Sequence, residues 1–205
     1  CILCCLRHKP LWSFDIVRLC IKYRNNGIVG MDIAGDEQNY SDSLHRSYFA
    51  YAHKKNINIT AHAGESGGSD NIRSAITNLY AKRIGHGYAC STDNYLMAYL
   101  KRNNIHLECC LTSSLKTKSI NDINKHPIKT FHKKNMNFSI NTDDPSIFNT
   151  SFQNVISLAK HTLQLNNDQI YKIMLNSLES SFASRKEKDK IKKILLNNWI
   201  KFDKK

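Results

Sequence analysis

Ile59-Thr60-Ala61-His62-Ala63-Gly64-Glu65 is an apolar strand running into a polar, chemically capable end, and the same construction stands on either side of it. Upstream is Ile28-Val29-Gly30-Met31-Asp32-Ile33-Ala34-Gly35-Asp36-Glu37. Downstream come Arg83-Ile84-Gly85-His86-Gly87-Tyr88, then Ile105-His106-Leu107-Glu108-Cys109, then Phe138-Ser139-Ile140-Asn141-Thr142-Asp143-Asp144-Pro145. A helical stretch fills each gap. Strand, polar cluster and helix in repetition is how a parallel α/β barrel builds its active-site face, because the C-terminal strand ends and their loops converge there. The expected fold class is α/β, a (β/α)8 TIM-type barrel.

Such a barrel takes about 250 residues, and this sequence has 205. The run Ile2-Leu3-Cys4-Cys5-Leu6 adds one strand, giving six parallel strands with their helices, too few to close a barrel of eight. The expectation is a single barrel domain over residues 1–205 that lacks its N-terminal portion. Strands 3 to 8 would lie in residues 1–148 and C-terminal helices in residues 149–205.

Composition narrows the class. Hydrophobic residues make up 41% and charged residues 23%, in or just below the range of globular proteins. No apolar stretch approaches the 18 or so residues of a membrane span. Seven cysteines, an odd number without regular spacing, read as reduced, buried thiols of a cytosolic protein. The CxxC form of Cys1 to Cys4 sits in an apolar run without a second pair and is not read as a metal or redox motif. The net charge of +13 comes from lysines scattered among asparagines, with no accompanying aromatic motif. It is read as a solvated surface rather than a nucleic-acid footprint.

Periodicity places the helices. Pro10 to Tyr23 offers Leu11, Phe14, Ile16, Val17, Leu19, Cys20 and Ile21 to the core. Ser41 caps a helix to about Lys55 that buries Leu44, Tyr48, Phe49 and Tyr51 or Ala52. Ser69 or Asp70 caps the next, through Ile72, Ile76 and Leu79, and Thr92 another, through Leu96, Met97 and Leu100. Residues 111–124 predict a polar loop over the barrel mouth, followed by a helix near Pro127 to Lys134. Further helices are expected over Phe152 to Leu165, Asn167 to Ser181 and Lys186 to Trp199.

The strand ends carry the chemistry. Gly64 lets the chain turn sharply after His62, so Glu65 re-enters the mouth beside it. Asp143 and Asp144 are adjacent carboxylates whose repulsion costs stability unless a cation or protons compensate. A capping turn before Pro145 explains one aspartate, not two. Their occurrence with His62 and His86 on neighbouring strands points to a metal-dependent hydrolytic site.

His62-Ala63-Gly64-Glu65, Gly85-His86-Gly87-Tyr88, Thr112-Ser113-Ser114 after Glu108 and Asn141-Thr142-Asp143-Asp144-Pro145, preceded by Met31-Asp32-Ile33-Ala34-Gly35-Asp36-Glu37, resemble the successive motifs of the adenosine deaminase family. They match in order from about Cys1 to Phe148. The resemblance implies a zinc-dependent barrel hydrolase that converts adenosine, and 2′-deoxyadenosine, to inosine and ammonia in purine salvage in the cytoplasm. It implies one Zn2+ per active site, with His62 and Asp143 among its ligands. Zinc lowers the pKa of bound water to about 7, supplying the hydroxide that attacks purine C6. Glu65 would give a proton to N1. His86 would orient the attacking water and stabilise developing charge, and Asp144 would hydrogen-bond that water and purine N7. Gly35 would present its backbone N–H to N3, and Asp32 and Ser113 would support the site. The partner so implied is a small-molecule purine nucleoside, with neither nucleic acid nor membrane.

Two departures stand out. The family draws two further zinc ligands from a His-x-His pair on its first strand, and Cys1 to Lys9 holds only the isolated His8. These 205 residues alone are therefore expected to be inactive. Leu111-Thr112 also stands where relatives often have Pro-Trp. The alternatives are a related adenine or N6-modified AMP deaminase sharing the metal site, or a catalytically inactive fragment lacking two zinc ligands. Ala63-Gly64 between His62 and Glu65 leans toward the nucleoside enzyme. A cytidine-type polynucleotide deaminase would need His-x-Glu and Pro-Cys-x-x-Cys, which are absent.

Overall fold

Alternation along the strands sorts side chains to two faces, since successive residues of a strand point oppositely. The computed structural model describes residues 1–203 and divides into two compact units, Cys1–Glu108 and Cys109–Lys205. Lys204 and Lys205 lie outside the described residues, so the helical tail expected through residue 205 is described to Asp203.

The first unit runs β1 (Ile2–Leu6), α1 (Trp12–Tyr23), β2 (Gly30–Ala34), a 3-10 turn (Asp42–His45), α2 (Arg46–Lys54), β3 (Asn58–Ala63), α3 (Ser69–Thr77) and β4 (Arg83–His86). A second 3-10 turn (Tyr88–Thr92), α4 (Asn94–Arg102) and β5 (His106–Cys109) follow. β1 to β5 pair in sequence order, all parallel, with Leu3 opposite Met31, Met31 opposite Ile59, His62 opposite Gly85 and Ile84 opposite Leu107. Met31, Ile33, Ile59, Ala61, Ala63, Ile84 and Leu107 are fully buried, as are Val17, Phe49, Ala52, Ile72, Leu79 and Leu100 from the helices and their ends. The alternate positions of the strands are polar: Asp32, Thr60, His62, Arg83 and Glu108. Arg83 Nε donates to Glu108 Oε1 at 2.5 Å and Thr60 Oγ1 to the same oxygen at 3.3 Å, so the half-buried Arg83 and Glu108 and the buried Thr60 satisfy one another.

Several expected boundaries shift for local reasons. α1 buries Ser13, Val17 and Cys20, a narrower stripe than predicted, and Leu11, Phe14 and Leu19 are exposed. Ser13 holds its core position because its hydroxyl is 2.8 Å from Nδ1 of the buried His45. Ser41 does accept the Ser43 N–H, but it caps the 3-10 turn that precedes α2, and Leu44 and Tyr51 stay exposed. Neither Ser69 nor Asp70 caps α3; Gly68 is its N-cap, and Asp70 pairs with Arg73. Asp93, not Thr92, caps α4 by accepting the Leu96 N–H, while the Thr92 hydroxyl turns back to the Ala89 carbonyl.

The second unit contains α5 (Leu111–Lys116), a 3-10 turn (Ile123–Lys125), α6 (Ile128–Lys133), β6 (Phe138–Ile140), α7 (Pro145–Phe148), α8 (Phe152–Leu163), α9 (Asn167–Ser180) and α10 (Arg185–Asp203). α9 packs on β6, where Asn137 Nδ2 donates to Ser180 Oγ at 3.2 Å. Asn166 and Gln169 form a reciprocal capping box at the start of α9. The segment expected as a polar loop over the mouth instead opens as α5, with Leu111, Ser113 and Ser114 buried. Its hydroxyls are satisfied internally. Ser114 Oγ donates to the Leu111 carbonyl at 2.9 Å and lies 3.0 Å from His126 Nε2, whose Nδ1 accepts the Ile128 N–H.

None of the seven cysteines is joined in a disulfide. Five are buried as expected, whereas Cys1 and Cys4 are exposed, Cys4 being on the strand face opposite the buried Cys5. Burial pushes the Cys5 and Cys90 thiols up to about 12 and Cys20 up to about 11, so they stay protonated at neutral pH. Among the described residues, no helix is long and apolar enough to cross a membrane.

Candidate active site

Parallel pairing puts the C-terminal ends of β2, β3 and β4 on one edge of the first unit, and the expected residues gather there. His62 projects from the polar face of β3, opposite Gly85 in β4. A Cβ on Gly85 would stand 3.2 Å from Cγ and Nδ1 of that imidazole, so the glycine leaves the ring its space. Nδ1 of His62 lies 3.0 Å from Asp32 Oδ2 and 3.2 Å from Oδ1. Asp32, only 13% exposed, is itself fixed because Oδ1 accepts the Ile33 N–H at 2.6 Å. A carboxylate on Nδ1 selects the tautomer that carries its proton there and keeps Nε2 as a lone-pair donor. The His62 carbonyl accepts from Arg7 Nη2 at 2.6 Å, which ties the strand end to the loop after β1.

His86 stands one register step further along, buried at 2% exposure. Its ring meets His62 edge to face at 5.2 Å between centroids and Tyr88 at 5.5 Å. Its backbone has φ +64°, a left-handed conformation uncommon for a non-glycine residue and concentrated at functional sites. Glu65 Oε2 lies 3.5 Å from His86 Nε2. The first unit therefore brings Asp32, His62, Glu65 and His86 together. Gly35, expected to offer its N–H to the substrate, has φ +108°, a conformation that side chains rarely adopt.

The second unit positions the remaining expected residues. β6 is buried throughout, and the Asn141 N–H donates to the Cys109 carbonyl at 2.8 Å, which anchors the turn that follows. Asp143 takes φ +60°, and its Oδ2 accepts from the Ser113 hydroxyl of α5 at 2.6 Å. Asp144 is the residue before α7 but accepts no cap hydrogen bond through its exposed side chain. A simple capping role does not account for it. His8 contacts Tyr40 ring to ring.

Glu37, the last residue of the Met31 to Glu37 segment, has a place beside the site that its sequence context does not mark. Glu37 is buried, and its carboxylate accepts the backbone N–H groups of Gly64, Glu65, Ser66 and Gly67. A glutamate three residues past a strand reads as a solvated loop acid. The signal that could have singled it out is the Gly64-Glu65-Ser66-Gly67-Gly68 run it faces, flexible backbone able to fold its amides around an anion.

The chain matches the adenosine deaminase family over residues 1–197. It is 40% identical over 191 residues to adenosine deaminase of Gallus gallus and 39% identical over 193 residues to that of Danio rerio, each alignment covering 93% of this chain and 54% of the relative. It spans about half the length of the curated relatives it matches. Among solved structures, the apo N6-methyl-AMP deaminase of Arabidopsis thaliana is similar at a TM-score of 0.87 and 27% identity, over 96% of this chain and 58% of that one. An amidohydrolase from Burkhoderia ambifaria with bound zinc has a TM-score of 0.91 over 99% of this chain and 57% of that one; at 20% identity it shows the fold alone. The fold is α/β, of the (β/α)8 TIM-barrel type, and the described residues supply six of its strands.

Proposed function

The chain belongs to the adenosine deaminase family, and we propose that the protein containing it hydrolyses adenosine, and 2′-deoxyadenosine, to inosine and ammonia in cytoplasmic purine salvage. The observation that carries this reading is the first unit's cluster, in which Asp32 orients His62 and Glu65 meets His86. The donor set suits zinc. His62 keeps Nε2 as a donor because Asp32 occupies Nδ1, and Asp143 has one oxygen held by Ser113 and a second for a metal; imidazole and carboxylate are both zinc ligands. Held by His62 and Asp143 together with ligands from elsewhere in the protein, zinc would activate a water for attack at neutral pH.

The other residues then divide the work. Glu65 passes a proton to purine N1 as the water oxygen adds to C6, so negative charge does not accumulate on the ring. His86, buried against His62 and within 3.5 Å of Glu65, orients the water and stabilises the charge that develops on its oxygen. Asp144, free of capping duty, hydrogen-bonds that water and N7. Gly35 offers its N–H to N3, where a side chain would block the approach. The tetrahedral C6 then collapses to a carbonyl: one proton of the added water passes to the amino group, which leaves as ammonia, and the other restores the proton given by Glu65.

The test is inosine formation by the complete, zinc-loaded protein, with adenine and N6-methyl-AMP assayed in parallel. Adenosine is expected to be the preferred substrate and chelation to abolish turnover. A higher kcat/KM for either of the other two would overturn the substrate assignment.

A further inference from the structure

Four consecutive backbone amides after β3 converge on one carboxylate from the neighbouring loop. Glu37 stands three residues beyond β2 and is 7% exposed. Its Oε1 accepts the Gly64 N–H at 2.5 Å; its Oε2 accepts those of Glu65 at 3.1 Å, Ser66 at 3.2 Å and Gly67 at 3.1 Å. Gln38 Nε2 donates to the Ser66 carbonyl at 3.0 Å, and Asn71 Nδ2 to the Glu37 carbonyl at 3.4 Å, so the two loops are joined at several points. The glycines are shaped to this arrangement. Gly64 has φ +73°, and a Cβ on Gly67 would stand 2.7 Å from Glu37 Oε1 and 2.8 Å from its Cδ.

Amide nests of this kind bind anions, and hydrogen bonds to a charged acceptor are roughly twice as strong as neutral ones. The loop so held carries Glu65. We infer that Glu37 is a positioning residue for Glu65: by gripping the main chain of residues 64–67 it sets where the Glu65 carboxyl meets the purine. This inference rests on the reading of Glu65 as the proton donor. Glu37 touches no substrate atom in this role and acts only through the backbone.

The experiment uses the complete, zinc-loaded protein. Glu37→Gln keeps the shape but turns one accepting oxygen into an amide donor facing N–H groups. Misplacing a reacting group by about 1 Å can cost roughly 10²-fold, so kcat for adenosine should fall by about that factor. KM and zinc content should hold, and the amides of residues 64–67 should exchange hydrogen faster. Because Glu37 works through Glu65, the double variant Glu37→Gln/Glu65→Gln should be no slower than Glu65→Gln alone. An unchanged kcat in Glu37→Gln, or a double variant showing the full product of both losses, would overturn the inference.

Should Glu37→Gln fail to fold, Gly67→Ala asks the same question. Gly67 lies outside the left-handed region, and the added methyl would run into Asn71 Nδ2 and stand 2.7 Å from Glu37 Oε1, crowding the carboxylate while keeping its charge. The same kcat loss and the same lack of additivity with Glu65→Gln are expected; an unchanged kcat overturns the inference. An inactive parent, or undiminished turnover in Glu65→Gln, overturns the Glu65 reading and this inference together. A slowed Glu65→Gln beside an unaffected Glu37→Gln overturns the inference alone.

Discussion

Asp32 fixes His62 through Nδ1, so on the proposed reading Nε2 is the nitrogen that would meet a metal. With its carboxylate 3.0 Å from Nδ1, the imidazole is held in one tautomer and one orientation. Partners of this kind are worth about 10- to 100-fold in metal affinity. Asp32→Ala in the complete protein should weaken zinc binding by that order, read by competition with a chelator, while the far-ultraviolet circular dichroism is unchanged. Glu65 and Asp143 should separate by role. Glu65→Gln removes the proposed proton donor and should lower turnover by about 10² to 10⁴ with zinc content intact, whereas Asp143→Ala should lose the metal. Zinc analysis of the two purified variants checks this; equal metal loss in both would contradict separate roles. Of these residues, His62, Glu65, His86, Asp143 and Asp144 were legible as chemistry-bearing strand ends. The grip of Glu37 on the Glu65 loop was not, because its partners are backbone amides that no side-chain motif reports.

At the scale of elements, the strands sit close to where alternation put them, while helix caps and buried stripes moved. The stretch around His45 shows why. His45 is fully buried in the 3-10 turn before α2, with Nδ1 2.8 Å from Ser13 Oγ on α1 and Nε2 3.0 Å from the Arg7 carbonyl. A neutral ring donating from Nε2 to Arg7 and accepting at Nδ1 from Ser13 satisfies both. A protonated ring would set Nδ1–H against the arrangement. Burial, together with the positive charge of Arg7, holds the His45 pKa below its ordinary value, against the opposing pull of Asp42 and the Arg7 carbonyl. Since the unfolded chain takes up this proton first, the contribution is full above the ordinary imidazole pKa of about 6.5. It is lost as pH falls through the lower folded value. Urea midpoints measured from about pH 7.5 down to 5 should therefore decline, and His45→Gln should flatten part of that decline; parallel slopes in the two proteins would refute it. No periodicity in the sequence marks Ser13 as a core position, since its burial depends on a histidine 32 residues away.

At the scale of the whole molecule, the chain covers 54% of the length of its adenosine deaminase relatives. Catalytic zinc sites ordinarily use three protein ligands, and among the described residues only His62 and Asp143 are assigned to one on the proposed reading. Residues 1–205 expressed alone should form no inosine from adenosine, even with added zinc. In the first unit β1 is paired only with β2, and an open strand edge templates association, so light scattering should show aggregation of that preparation. Zinc-dependent turnover by a monodisperse sample would mean that further ligands lie within these residues. What the sequence by itself determined was the succession of strands and the titratable residues at their ends, because strand alternation and strand-end clusters are local properties written in contiguous residues. Only the tertiary structure decided that Asp32 serves His62, that Ser113 serves Asp143 and that Glu37 gathers four amides of the Glu65 loop. Each of those pairings joins positions some 30 residues apart, and hydrogen bonds across such separations exist only once parallel strand pairing and helix packing have brought the loops together.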